Sequence, residues 1–174
     1  MKKINFIQNQ YLKKDLNQKL LKNYIKIEKK IFDNIKDENQ IFNILSKNYK
    51  FNFKMEDLKK YKRFNNLAII GMGGSILGVE AIYQFLNHHI KKNVFFFNDI
   101  NETKLLNFKK KKNFKKTLFL VISKSGNTIE TLTNFLSLKI IKTVKNNIII
   151  IFKKKNNELF NIAKKFDLSF IEHK

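Results

Sequence analysis

Apolar residues occur along this chain in short unbroken runs that alternate with stretches of helical periodicity. The runs begin near residues 67, 93, 117, 147 and 168, and each is too short for an ordinary helix of a globular protein. Continuous apolar runs of this kind are typical of strands that are buried on both faces. Since a helical stretch follows each of the first four runs, the pattern predicts βαβ units with right-handed crossovers. We therefore expect an α/β fold, a doubly wound and mostly parallel five-stranded sheet.

The segment before the first run has a different pattern. It is rich in lysine, and its apolar residues recur at helical spacing, with a further short helix predicted at Met55–Phe64. We expect a helical N-terminal cap over residues 1–65 and one α/β domain over residues 66–174. Apolar residues that form one helical face in the cap are Leu16, Leu20, Leu21, Tyr24 and Ile25.

The helical stretches between the runs allow more detailed expectations. A helix that opens at Ser75 should bury a continuous apolar stripe, and a helix that follows Thr128 should continue to Asn147. The lysines from Lys109 to Lys112 are expected in a solvated loop. Residues predicted for the stripe of the first helix are Ile76, Val79, Ile82, Tyr83 and Leu86, and those at helical spacing in the second are Ile129, Leu132, Leu136 and Ile140.

The polar loop after the third run is the first candidate for chemistry. Ser123–Thr128 contains no apolar side chain, and it places hydroxyls and the flexible Gly126 at the start of a helix. Unpaired backbone N–H groups at the positive end of a helix favour a phosphate, and Lys124 adds a full positive charge. The alternative is that Asn127 or Thr128 only caps the helix and the loop is a polar turn.

A glycine-rich loop after the first run is the second candidate. Its three glycines, Gly71, Gly73 and Gly74, allow a sharp turn and let backbone N–H groups approach a ligand. We expect Gly74 to lie against the ligand or to adopt a positive φ. The loop resembles part of a dinucleotide fingerprint, but Ile76 occupies the place of the third glycine, so a nicotinamide site is not expected. Alternatively, the glycines serve only close packing of strand and helix.

The two loops should meet in space. If the strand order is 2-1-3-4-5, the direction of winding reverses between the first and third strands, and ligands bind outside the carboxyl ends of strands at such a point. Gly73, Gly74 and Ser75 would then face the Ser123–Thr128 loop across one anion. The sequence therefore predicts a binding site for a phosphate-bearing ligand.

The amino-acid composition limits which metals and macromolecular partners are expected. The 174 residues include no cysteine and three histidines, so neither a disulfide framework nor a metal site is expected. The net charge of +22 suggests nucleic acid or an anionic membrane. However, Arg63 is the only arginine among 36 basic residues, as an AT-rich genome would produce. Nucleic acid stays an alternative through lysine contacts alone.

No stretch approaches the roughly 18 uncharged apolar residues of a membrane span, and the N-terminus lacks the apolar run of a signal peptide. The sequence thus favours a soluble protein without a membrane partner. Since it also lacks cysteine, a reducing cytoplasm is the expected location.

Two motifs carry a family resemblance. GMGGSILG, Gly71–Gly78, followed further along by SKSGNTIET, Ser123–Thr131, resembles the paired signature of glucose-6-phosphate isomerases, whose first domain has the sugar-isomerase (SIS) fold. The resemblance covers roughly residues 60–172. It implies that Gly74 and Ser75 lie beside the sugar and that Lys124 supplies a backbone N–H or a nearby charge. The candidates that it implies for hydroxyl contacts to the sugar phosphate are Ser123, Ser125, Thr128 and Thr131.

The resemblance also implies an activity. The family interconverts glucose 6-phosphate and fructose 6-phosphate by proton transfer through an enediol, without metal or redox cofactor. Its glutamate base, histidine, arginine and C-terminal lysine have no counterpart in the matched segment, so no catalytic residue is assigned. A hexose 6-phosphate is the implied partner, and a full-length chain is expected to form a homodimer. The alternative is a stand-alone SIS module that binds sugar phosphates or regulates without catalysis.

Overall fold

The chain divides into two compact units, Met1–Phe51 and Asn52–Lys174. A computed structural model describes residues 14–37, 41–50, 53–111, 113–153 and 156–173. In the first unit, helix α1 (Lys14–Lys36) precedes a short 3-10 helix at Ile41–Leu45, and Asn43 Nδ2 donates to the carbonyl of Ile35 at 3.0 Å. The expected domain boundary between residues 65 and 66 stays a prediction.

The second unit is built on one parallel sheet of five strands. The order is β2-β1-β3-β4-β5, and every neighbouring pair is parallel. The predicted α/β class and the doubly wound strand order are therefore confirmed. The strands are β1 (Asn66–Gly71), β2 (Asn93–Phe97), β3 (Thr117–Ile122), β4 (Ile148–Phe152) and β5 (Ser169–Glu172).

Helices connect these strands in the expected alternation. The α-helices are α2 (Leu77–Leu86), α3 (Glu102–Lys111), α4 (Ile129–Ser137), α5 (Ile141–Val144) and α6 (Glu158–Phe166). Short 3-10 helices lie at Met55–Arg63, Gly73–Ser75, Asn87–His89, Phe114–Lys116 and Lys145–Asn147. None of the described helices is both long enough and apolar enough to cross a bilayer.

The core lies mainly on the face of the sheet that packs against α3, α4 and α6. Phe119 of β3 and Phe135 of α4 are fully enclosed there. The ring of Phe108 in α3 packs edge-on against that of Phe97, with centroids 5.1 Å apart. Burial of each such side chain contributes about 1.5–3 kcal/mol to stability. The opposite face carries a smaller cluster, which comprises Phe64, Leu118 and Ile149.

The predicted apolar stripe of α2 is wrong for most of the helix. Ile76 is fully buried just before the helix, but Ile82 is 62% exposed and Leu86 37% exposed, and α2 buries no residue completely. The helix connects β1 to the edge strand β2 and reaches the sheet through Tyr83, whose ring centroid lies 5.5 Å from that of Phe96. An edge strand offers little surface, so most apolar side chains of α2 stay exposed.

Two further expectations about helices are corrected. The helix after Thr128 does not continue to Asn147, because Lys139 adopts a left-handed φ of 54° and separates α4 from α5. The lysines from Lys109 to Lys111 are not in a loop, because they form the last turn of α3, where positive charge is favoured by the helix dipole. Residue 112 lies outside the described part of the chain.

The face that α4 buries also differs from the expected one. Ile129 is 73% exposed and Leu136 is 49% exposed, although both are apolar. The side chains that α4 turns towards the sheet are instead Thr131, Asn134 and Phe135. Hydrogen bonding accounts for part of this choice, because Asn134 Nδ2 donates to the carbonyl of Asp99 at 2.9 Å.

Side-chain hydrogen bonds hold the amino ends of three adjacent strands in register. Asn66 Nδ2 donates to Thr117 Oγ1 at 3.3 Å, and Asn93 Nδ2 donates to Asn66 Oδ1 at 3.0 Å. Asn66 is paired in register with both of these residues and is 8% exposed. Parallel strands can slip in register, and a shared amide at this position disfavours slippage.

We expect Asn66→Ala to lower the free energy of unfolding by about 1–3 kcal/mol, since it removes the two hydrogen bonds that the buried Asn66 amide makes to Thr117 and Asn93, each worth about 0.5–1.5 kcal/mol. Urea denaturation would measure the change. Asn65→Ala is the matched control, because Asn65 is the exposed neighbour and should change stability little. Equal losses in both variants would contradict a role for the buried amide.

Candidate functional site

The two candidate loops lie side by side at the carboxyl edge of the sheet. β1 and β3 are neighbours, and their last residues, Gly71 and Ile122, are paired in register. A Cβ atom on Gly71 would lie 2.9 Å from the carbonyl oxygen of Ile122 and 3.5 Å from the Cβ of Ser75. The glycine therefore permits the close approach that brings the glycine-rich loop against the end of β3.

The loop after β3 gathers three hydroxyls. Ser123 Oγ lies 3.0 Å from Thr128 Oγ1, and Ser125 Oγ lies 3.4 Å from the same atom. Gly126 N donates to Ser123 Oγ at 3.1 Å, and Asn127 N donates to Ser125 Oγ at 3.2 Å. Ser123 is buried, Thr128 is half-buried and Ser125 is exposed. The cluster thus runs from the core to the surface.

This cluster lies at the N-terminus of α4, and no side chain caps that helix. Thr128 occupies the N-cap position with extended backbone, and its carbonyl accepts the first helical bond from Leu132 N at 3.0 Å. Its hydroxyl is directed to the two serines instead of the helix. The first backbone N–H groups of α4 are consequently available to an anion, and the helix dipole adds positive potential there.

The N-terminus of α6 is, in contrast, occupied by the loop itself. Asn127 Oδ1 accepts from Glu158 N at 2.9 Å, and the carbonyl of Gly126 accepts from Leu159 N at 3.1 Å. Asn157 Oδ1 accepts from Phe160 N at 2.9 Å. Therefore α6 anchors the loop, and of the two neighbouring helix N-termini only that of α4 lacks a side-chain cap.

The conformation of the loop requires glycine at residue 126. Gly126 has a φ of +73°, and a Cβ built on it would collide with the side-chain amide of Asn157. Asn157 is itself 4% exposed and held by its bond to α6, so it cannot move aside easily. The flexible glycine expected from the sequence is thus a fixed contact point between the loop and the segment before α6.

The other sequence-predicted residues occupy different environments. Gly74 is exposed and does not adopt a positive φ, which belongs instead to Gly73 at +52°. Ser75 is half-buried at the end of the first loop, and Lys124 is exposed. Thr131 is 1% exposed, and its hydroxyl has no hydrogen-bond partner among the described residues. Ligand contacts by these residues stay predictions.

Two supporting asparagines were not found by sequence reasoning. Asn157 contacts the loop at Gly126, and Asn134 ties α4 to the turn after β2. A signal existed for Asn157, because an asparagine directly before Glu158 and an apolar helical pattern is a typical N-cap. No local signal marks Asn134, because its partner Asp99 is distant in sequence.

Comparison with known proteins identifies the family. A family model of phosphoglucose isomerase matches residues 23–164, well over half of the 174-residue chain. The chain belongs to the phosphoglucose isomerase family. The resemblance expected from the two motifs is therefore confirmed, and the match extends further towards the N-terminus than expected, into α1.

Curated relatives in this family share substantial identity with part of the chain. The glucose-6-phosphate isomerase of Methanocaldococcus jannaschii is 42% identical over 87 residues, which cover 48% of this chain and 21% of the relative. That of Borreliella burgdorferi (strain ZS7) is 35% identical over 124 residues, which cover 64% of this chain and 23% of the relative. The chain thus spans 21–23% of the length of these relatives.

Solved structures support the fold. A hypothetical protein from Thermus thermophilus is similar with a TM-score of 0.67 and 17% identity, over 90% of this chain and 40% of that chain. A glucose-6-phosphate isomerase from Chlamydia trachomatis is similar with a TM-score of 0.58 and 24% identity, over 68% of this chain and 24% of that chain. The α/β fold is therefore shared with these two solved structures.

Gly126→Ala should destabilise the chain by about 1–3 kcal/mol, because alanine is strained at positive φ and its methyl group collides with Asn157. Thermal and urea unfolding would measure the loss. The control is Gly78→Ala in α2, where an added Cβ meets no atom within 4 Å. That change should stabilise by about 0.5–1 kcal/mol. Shifts of the same sign in the two variants would contradict the contact.

Proposed function

We propose that this chain supplies the phosphate-binding part of a glucose-6-phosphate isomerase, which interconverts glucose 6-phosphate and fructose 6-phosphate. The observation that supports this most strongly is the cluster of Ser123, Ser125 and Thr128 hydroxyls at the N-terminus of α4, which lacks a side-chain cap. Hydroxyls and backbone N–H groups at the positive end of a helix suit a phosphate dianion. That the phosphate belongs to a hexose is inferred from membership of the phosphoglucose isomerase family.

In this proposal the loop contributes binding energy away from the reacting carbons. Holding the phosphate places C1 and C2 of the sugar against a base, so that contacts at the remote end serve the proton transfer. The exposed Lys124 adds attraction for the dianion, and Gly74 and Ser75 in the adjacent loop lie beside the sugar. Glu130 belongs to the first turn of α4 and is not assigned as the base.

Thr131 has a separate place in this proposal. Its hydroxyl is enclosed and has no hydrogen-bond partner among the described residues. A buried hydroxyl without a partner is costly, typically by about 1–3 kcal/mol. A phosphate oxygen that reaches the first turn of α4 would remove that cost, and this supports Thr131 as a ligand contact that forms when the loop adjusts on binding.

We also propose that the whole enzyme is a cytoplasmic homodimer. Large apolar side chains on the second unit, such as Phe85 at 80% and Ile129 at 73% exposure, are costly in water and would be stabilised by coverage in an assembly. The lack of cysteine agrees with a reducing compartment. A stand-alone regulatory module is not favoured, because the family model and the curated relatives are isomerases.

Calorimetric titration at about physiological ionic strength tests the proposed ligand, since the Debye length of about 8 Å then limits non-specific attraction by the lysines. Fructose 6-phosphate should bind more tightly than inorganic phosphate, and a short DNA duplex should bind least. Preference for DNA would support the nucleic-acid alternative. Absence of any sugar-phosphate binding would contradict the proposal for this segment.

Thr128→Ala should weaken fructose 6-phosphate binding by about 1.5–3 kcal/mol, the usual range for a hydrogen bond to a charged group. The Thr128 hydroxyl does not cap α4, and Ser123 Oγ still accepts from Gly126 N when it is removed, so the free energy of unfolding should fall by only about 0.5–1.5 kcal/mol. Thr133→Ala, at an exposed position on α4, serves as the control and should bind normally. Unchanged affinity of folded Thr128→Ala would remove this hydroxyl from the site.

A further inference from the structure

Asn127 links the hydroxyl cluster to α6, because its backbone bonds to the cluster and its side chain bonds to the helix. Its backbone N–H donates to Ser125 Oγ at 3.2 Å, while its side-chain Oδ1 accepts from Glu158 N at 2.9 Å. The side chain therefore caps a different helix from the one that follows it. An exposed asparagine that served only solubility would not be expected to make both of these hydrogen bonds.

The neighbouring backbone strengthens the same connection. The carbonyl of Gly126 accepts from Leu159 N at 3.1 Å, and the carbonyl of Lys124 accepts from Lys153 N at 3.2 Å. Consecutive parts of the loop are thus attached to the segment between β4 and α6. Among these attachments, the bond that Asn127 Oδ1 accepts from Glu158 N is the one made by a loop side chain, so it can be removed by substitution without altering the backbone.

We propose that Asn127 is a positioning residue, which holds the Ser123–Thr128 loop in the shape that accepts phosphate by capping α6. The proposal rests on the proposed function of this loop, and it adds a residue that acts without touching the ligand. If the Asn127 side chain is released, the Ser125 hydroxyl loses the support of the N–H that donates to it. The loop must then be ordered again when phosphate binds, and that ordering lowers affinity.

The test uses the full chain labelled with 15N. Asn127→Ala should weaken fructose 6-phosphate binding by about twofold to tenfold, corresponding to one lost hydrogen bond. In the unaltered chain, titration with fructose 6-phosphate should shift the amide resonances of Glu158 and Leu159, although these lie on α6. The same shifts should be lost in Asn127→Ala, a result that a purely stabilising role in α6 would not produce.

Two further variants sharpen the result. Asn127→Asp keeps an oxygen that can cap α6, as aspartate and asparagine are comparable at this position. It should restore protection of the Glu158 amide, and it should restore affinity at about 1 M salt, where its added charge is screened. Asn161→Ala is the matched control, because it makes the same change at an exposed position on α6, and it should bind normally.

The outcomes separate this proposal from the function on which it rests. Unchanged affinity and unchanged coupling to Glu158 in a folded Asn127→Ala would overturn it. If the unaltered chain fails to bind fructose 6-phosphate, the proposed function fails, and the positioning role is then tested by comparing the spectra of the two chains without ligand. Altered amide resonances of Ser125 and Gly126 in Asn127→Ala would support the positioning role, and unaltered resonances would overturn the positioning role.

Discussion

The close parallel pairing of β1 and β3 is the constraint on which the candidate site depends. Both strands end at the same edge of the sheet, and Gly71 lies so close to the carbonyl of Ile122 that a side chain could not be added without displacing backbone. The glycine-rich loop and the serine-rich loop therefore leave the sheet next to each other. A ligand at this edge meets elements that are distant in sequence but fixed by backbone hydrogen bonds of the core.

The N-termini of α6 and α4, which both lie at this edge of the sheet, have different roles. The loop after β3 satisfies the N–H groups of α6 with Asn127, Gly126 and the adjacent Asn157. The start of α4 has no side-chain cap, and the hydroxyl that occupies its capping position is directed elsewhere. Helix α6 thus stabilises the loop, whereas the uncapped N-terminus of α4 keeps a positive electrostatic potential that favours an anion. Full capping of both would favour stability over binding.

Amide side chains give the surroundings of the site their definition. Asn134 reaches the carbonyl of Asp99, Asn98 donates to Glu80 of α2 at 2.8 Å, and Asn66 links the amino ends of three strands. Asn66 and Asn134 are buried and Asn98 is half-buried, and loss of a partner is costly for an amide shielded from water, so each contact disfavours arrangements in which the partner has moved. Of these directional contacts, those of Asn66 specify the register of paired strands, and those of Asn134 and Asn98 attach helices α4 and α2 to the segment after β2.

Local patterns in the sequence determined the five strands, their alternation with helices and the two loops that carry the family motifs. The reason is that strand composition, helical spacing and turn residues act over a few neighbouring positions. Which face of a helix is buried was decided only by the tertiary structure. Ile82 and Ile129 are apolar but exposed, whereas Asn134 is polar and fully buried, because burial depends on the element that lies opposite. Likewise, Asn127 was a candidate cap for the helix that follows it, and it caps α6 instead, since the N–H group that its side chain reaches belongs to a residue 31 positions further along the chain.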